Sequence, residues 1–192
     1  MQPSSPSTRE DVLRALTGVE ADVAAFFASL SPDELVLRVG DAWTPAEHLA
    51  HLNVSVGAVA RGVGMPRALL LLRFGPSFSA SRSYDTIRET YRAILAAGGR
   101  ASGVYVPPRQ EPSADEIERH RADLLARWAR ANARLRDALA GWGERGLDLI
   151  RLPHPLLGKL TTREMLFFTL YHNQHHVEGA KRRLPRFGAA EV

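Results

Sequence analysis

Residues 161 to 179 read TTREMLFFTLYHNQHHVEG. Thr161 followed three residues later by Glu164 is a capping box, in which a hydroxyl and a carboxylate each accept a backbone N–H at a helix start. The pattern runs on until Pro185, whose ring cannot continue a helix. One long helix is therefore predicted, and it carries three of the seven histidines of the chain, His172, His175 and His176. His172 and His176 are four apart, so their rings share one helix face, although His175, three from His172, can substitute. Two imidazoles from one helix do not complete a metal cage, and a third ligand must come from elsewhere.

A second start signal lies at residues 43 to 52, WTPAEHLAHL. Thr44 is the N-cap, Pro45 takes the first helical position, where a missing N–H costs nothing, and Glu47 closes the box. This helix should run to about Gly64, and its His48 and His51 are the natural further donors. At about 1.5 Å per residue, His51 lies about 9 Å from the start of its helix and His176 about 10 Å before the end of the other. If the two helices are antiparallel neighbours, these histidines meet at one level of the fold.

Two more helices follow from apolar residues spaced at three and four. Val12, Leu16, Val19, Val23, Phe26 and Leu30 mark the first, over residues 8 to 30. Ile117, Leu124, Trp128, Leu135 and Leu139 mark the third, opened by a capping box at Ser113 and Glu116 and ending near Gly141. Between the second and third helices, residues 65 to 112 hold an apolar run, RALLLLRF, a short helix, SYDTIRETYRAILAAGG, and a loop. That connection is far longer than antiparallel neighbours require, so the second and third helices can run parallel. No segment shows convincing strand alternation. The predicted fold is all-α, a four-helix bundle in up-down-down-up order with additional short helices between helices two and three. One domain over 8–187 follows a Ser/Pro-rich lead, 1–7, expected to be disordered.

The chain of 192 residues is 45% hydrophobic, enough for a real core without staples. It has no cysteine, so any metal must be held by His, Asp or Glu. No window has the apolar length of a membrane span and no secretory signal is present, so a cytoplasmic protein with no membrane partner is expected. Lysine and arginine total 25 against 21 acids, a net charge of +4, and Lys159 and Lys181 are the only lysines. So small an excess predicts no nucleic-acid partner. Plain structural readings fit several residues: His48, His120 and His154 as packing histidines, Trp43 as a hydrophobic staple, Arg127, Arg130 and Arg134 as a solvated stripe, and the basic run 180–187 as a complement to a helix dipole.

WTPAEHLAHL, together with HPLLGKLTTREMLFFTLYHNQHH over 154–176, resembles the signature segments of the DinB/YfiT-like superfamily. These are bundles in which one histidine of helix two and two of helix four hold a divalent metal. The resemblance implies His51, His172 and His176 as the ligands, with His175 beside the site. One departure is Gly179, which stands where many members have Gln, three residues after the last ligand.

Three neutral imidazoles with no carboxylate or thiolate leave the charge of an ion uncancelled and a coordination position open, a pattern suited to catalysis. Zinc or nickel is expected. Asn173 and Gln174 follow His172, so the His-Glu-x-x-His protease motif is absent, and Glu47 and Glu178 are the nearby base candidates. The resemblance implies a metal-dependent hydrolase or small-thiol-dependent transferase. The alternative is a noncatalytic stress or DNA-damage-induced binding protein with a structural metal. A small-molecule substrate, with a low-molecular-weight thiol among the candidates, is the expected partner, and the chain can form a homodimer.

Overall fold

The computed structural model describes residues 6–185. The disordered lead expected over 1–7 and the end of the domain at 187 therefore fall largely outside the described residues. Ser7 is described, and its carbonyl accepts a hydrogen bond from Arg163 at 2.9 Å.

Four long helices form the bundle: α1 (Arg9–Ala28), α3 (Pro45–Val63), α6 (Ile117–Ala140) and α8 (Thr162–Lys181). Short helices connect them, α2 (Pro32–Leu35), α4 (Arg67–Phe74), α5 (Tyr84–Ala96), a single 3-10 turn at Gly103–Tyr105, and α7 (Glu144–Leu149). Contacts along the helices give their directions. Ser7 meets Arg163 and Phe26 lies under Lys181, so α1 and α8 are parallel. The Trp128 indole donates to the Glu20 carbonyl at 3.0 Å, and Arg9 reaches the carbonyls of Leu139 and Ala140, so α1 and α6 are antiparallel. Asn53 bonds the Leu124 carbonyl and Gly64 faces Ala138, so α3 and α6 are parallel. The order is up-down-down-up, and α3 packs most extensively against α6.

Local chemistry explains where the helices start. Thr8, Thr44 and Thr161 each accept the N3 amide while the N3 carboxylate takes the cap amide, a complete box in every case. The box expected at Ser113 and Glu116 does not close, because the Glu116 amide donates to the Ser113 carbonyl at 2.8 Å rather than to its hydroxyl, and α6 begins only at Ile117. The α8 helix ends at Lys181, before the Pro185 ring, which would collide with the carbonyl four residues earlier.

One element departs from the all-helical pattern. Arg151–His154 and Gly158–Thr161 pair as an antiparallel hairpin, β1 and β2, with Leu152 opposite Leu160 and both buried. Pro153 within the first strand hid its alternation. Gly158, at φ +73, takes the left-handed conformation that closes the turn without steric penalty.

No single described helix is long and apolar enough to cross a membrane; α3 and α4 pass only as a pair bent by 101°. The core centres on Trp128, Phe27, Leu49, Leu52, Leu135 and Leu166, all nearly sealed from solvent. Trp128→Ala should lower stability by about 3–5 kcal/mol, since the cavity is large and the Glu20 carbonyl loses its donor. The measurement is the urea midpoint followed by circular dichroism at 222 nm.

Candidate metal centre

Antiparallel packing of α3 on α8 brings His51 to His172 and His176. The His51 Nε2 lies 3.0 Å from the His172 Nε2, which in turn lies 3.1 Å from the His176 Nε2. The three offered nitrogens all fall within 4.8 Å of one another, a group that can hold a metal ion. Nitrogens bound tetrahedrally at about 2.0–2.1 Å would stand about 3.3 Å apart, so the rings need open by only tenths of an ångström. The donor set fits a divalent ion.

The surroundings orient these rings. His51 Nδ1 sits 2.6 Å from the Tyr105 carbonyl, an acceptor only, so the proton is on Nδ1 and the Nε2 lone pair faces the centre. His176 Nδ1 is 2.9 Å from His48 Nδ1. If the His176 Nε2 lone pair faces the other two rings, as a metal ligand requires, His176 donates here and His48 accepts. Trp43 lies across His48, His51 and His176 with ring centroids 5.6, 5.0 and 5.9 Å away. It is a staple, as its position before the cap suggests, and its partner four residues into the helix is His48.

Burial holds the histidines neutral. It pushes His172 and His176 well below the ordinary value, assisted by the other imidazoles, and lowers His51 against the opposing hydrogen bond from Tyr105. His48 is pushed down to about 3 by burial and by the nearby Arg183 cation. Neutral rings keep the lone pairs that a metal needs.

The remaining candidates take other places. His175 is half-buried against Tyr91 and Tyr171 and is not part of the three-nitrogen group. Glu178 pairs with Lys181 at 2.8 Å. Glu47 is fully engaged, accepting from Thr44, from the Gln110 amide and from Arg38 at 2.6 Å. Burial raises its pKa, but these donors outweigh burial and hold it below the usual carboxylate range. Gly179 lies against the His48 ring, where a Cβ would stand at an ordinary contact distance of 3.4 Å. His120 lies away from the three rings, with its Nε2 buried and without a hydrogen bond.

A cavity of about 750 Å³ opens onto the three histidines. Its walls include Tyr91, Leu95, Leu156, Met165 and Phe168. His154 also lines it, with Nδ1 accepting the Leu156 and Leu157 amides at 3.1 and 3.0 Å, so its proton is on Nε2, and burial lowers its pKa to about 4. Sequence reasoning did not find the Tyr105 carbonyl, because a backbone acceptor carries no residue signature. His154, expected as a packing residue, does pack on Phe168 with ring centroids 4.2 Å apart, and its ring also faces the cavity.

A bundle whose antiparallel pair turns three imidazoles into a largely apolar cavity defines a class, helical bundles with a candidate metal centre. The sequence profile described as the DinB superfamily matches residues 15–179, and the chain belongs to that superfamily. Its fold is similar to that of TT2238, a four-helix bundle protein, with a TM-score of 0.53 at 19% identity over 90% of this chain and 97% of that one. It also matches the colibactin self-resistance protein ClbS, solved in complex with a dsDNA, at a TM-score of 0.46 and 14% identity over 95% and 96% of the two chains. No curated protein matches the sequence. Beside that complex, the expectation of no nucleic-acid partner is withdrawn for this chain. That expectation rested on net charge, which averages over the whole surface and does not report where the cations stand.

Buried neutral histidines make stability pH-dependent in a defined direction. Their folded pKa values lie below the unfolded value of about 6.5, so the unfolded chain binds more protons in acid. Stability is complete above pH 6.5 and falls as pH drops toward the folded values, about 3 for His48 and about 4 for His154. Urea titrations of chelator-treated protein from pH 8 to 4 should show the midpoint falling below pH 6.5, and less steeply in His154→Gln.

Proposed function

We propose that this protein is a divalent-metal-dependent enzyme, a hydrolase or small-thiol-dependent transferase, with His51, His172 and His176 as ligands to zinc or nickel. The observation that carries this reading is the convergence of three Nε2 atoms, without a carboxylate or thiolate, at the wall of a large cavity. When bound, a divalent ion supplies Lewis acidity, which activates water or a thiol as a nucleophile near neutral pH.

The residues of the chain perform the remaining tasks. The Tyr105 carbonyl and His48 hold His51 and His176 in the required tautomers. Trp43 covers one side of the rings and limits water. Tyr91, Met165 and Phe168 bind the apolar part of a small substrate. His154 keeps a proton on Nε2 beside that cavity and can offer it as a hydrogen bond to a substrate oxygen. Glu47, saturated by its three donors, serves as a strut and not as a base.

Elemental analysis of the purified protein should find close to one divalent ion per chain, with losses of more than tenfold in His51→Ala, His172→Ala and His176→Ala. Metal content unchanged in all three variants rejects the ligand assignment. His175→Ala should retain its metal, and His48→Ala should lose about 10- to 100-fold in affinity. Removing the metal should abolish turnover on a panel of thiols and esters while circular dichroism stays helical. A fold that melts on chelation, with no turnover beforehand, would favour a structural metal.

A further inference from the structure

A second cavity of about 430 Å³ lies between α3 and α6, on the far side of the segment around Tyr105. Four of the residues lining it are arginines, Arg61 on α3 and Arg127, Arg130 and Arg134 on α6. All four are exposed. Among the described residues none of the four has an ion pair or hydrogen bond, whereas Arg38, Arg82, Arg136 and Arg163 are each paired with an acid. Asp123 is the single acid among the described residues lining the groove. The groove thus holds most of a net charge that is only +4 over the whole chain.

Helix geometry arranges these cations in a row. Arg127, Arg130 and Arg134 share one face of α6, separated by about 4.5 and 6 Å along the axis. Because α3 runs parallel to α6, with Asn53 level with Leu124 and Gly64 level with Ala138, Arg61 stands near the level of Arg134 and widens the row at that end. Like charges so placed repel one another, and among the described residues lining the groove only Asp123 offsets them. Guanidinium groups bind phosphate oxygens through paired N–H donors, and a row about 10 Å long spans about three successive phosphates of a strand. The Pro107 and Pro108 wall gives the groove a stiff side, and Gln110 Oε1 is a buried acceptor without a partner beside it.

We propose that the groove between α3 and α6 is a binding site for a linear phosphate-bearing polyanion, adjoining the three-histidine centre through the shared His51 wall but not dependent on it. The phosphates can belong to a nucleic-acid strand or to a small polyphosphate, and the two sources are told apart by experiment. Full-length protein is titrated calorimetrically at about 50 mM salt with inorganic triphosphate and, separately, with a ten-nucleotide single strand of DNA. The same titrations use the Arg127→Gln, Arg130→Gln, Arg134→Gln triple variant, whose exposed substitutions leave the core intact, and His172→Ala, which removes a proposed metal ligand.

At least one probe should bind the parent protein and His172→Ala alike and should weaken at least tenfold in the triple variant. For the DNA strand, log K should fall against log salt with a slope of about −2 for three contacts, a slope that the triple variant largely loses. Binding by the strand alone assigns a nucleic acid, by triphosphate alone a small polyphosphate, and by both a general phosphate site. No binding of either probe, binding that the triple variant keeps, or binding that His172→Ala abolishes overturns the proposal. Because His172→Ala tests the metal centre separately, failure of one site does not imply failure of the other.

Discussion

The antiparallel contact of α3 with α8 is the constraint on which the rest depends. It sets His51 against His172 and His48 against His176 at one depth, burying four imidazoles together. Buried charge would be prohibitive there, so the rings stay neutral and satisfy one another or an ion. The parallel pairing of α3 with α6 follows from the same order. It forces a long crossover, and that crossover supplies Tyr105 to orient His51 and Tyr91 to wall the cavity.

Two helix caps tie the crossover and the connector before α3 to the bundle. Glu47 and Glu164 each complete a capping box, and each carries a second load: Glu47 takes Arg38 and the Gln110 amide, while Glu164 takes the Arg82 guanidinium and amide. Both carboxylates are buried and fully partnered, an arrangement that resists local opening. Arg163, beside Glu164 in the first turn of α8, does the same, joining Asp148, Glu144 and the Ser7 carbonyl. The polar groups that start the helices therefore also close the loops that shape the cavity.

What could be read from the residues divides by range. The boxes at Thr44 and Thr161 formed because all their partners lie within three residues. The same pattern at Ser113 did not form, because the Glu116 amide turned to the Ser113 carbonyl and left the hydroxyl without it. The hairpin at 151–161 was missed because Pro153 broke the alternation that exposes a strand, while Leu152 and Leu160 face the core only once paired. Charge counting excluded nucleic acid for the same kind of reason, since it sums cations without placing them. Arg127, Arg130 and Arg134 are exposed, as a solvated stripe should be, and only packing sets Arg61 of α3 beside them.

The sequence by itself determined the four long helices, their order, and the face that carries His172 and His176, because helical periodicity and capping act between neighbours along the chain. It also reached His51, through the depth of each residue in its helix and through family resemblance. The tertiary structure alone decided that His48 meets His176 and lies beside Gly179, and that the Tyr105 carbonyl fixes the tautomer of His51. Those outcomes rest on groups more than fifty residues apart, which no local pattern encodes.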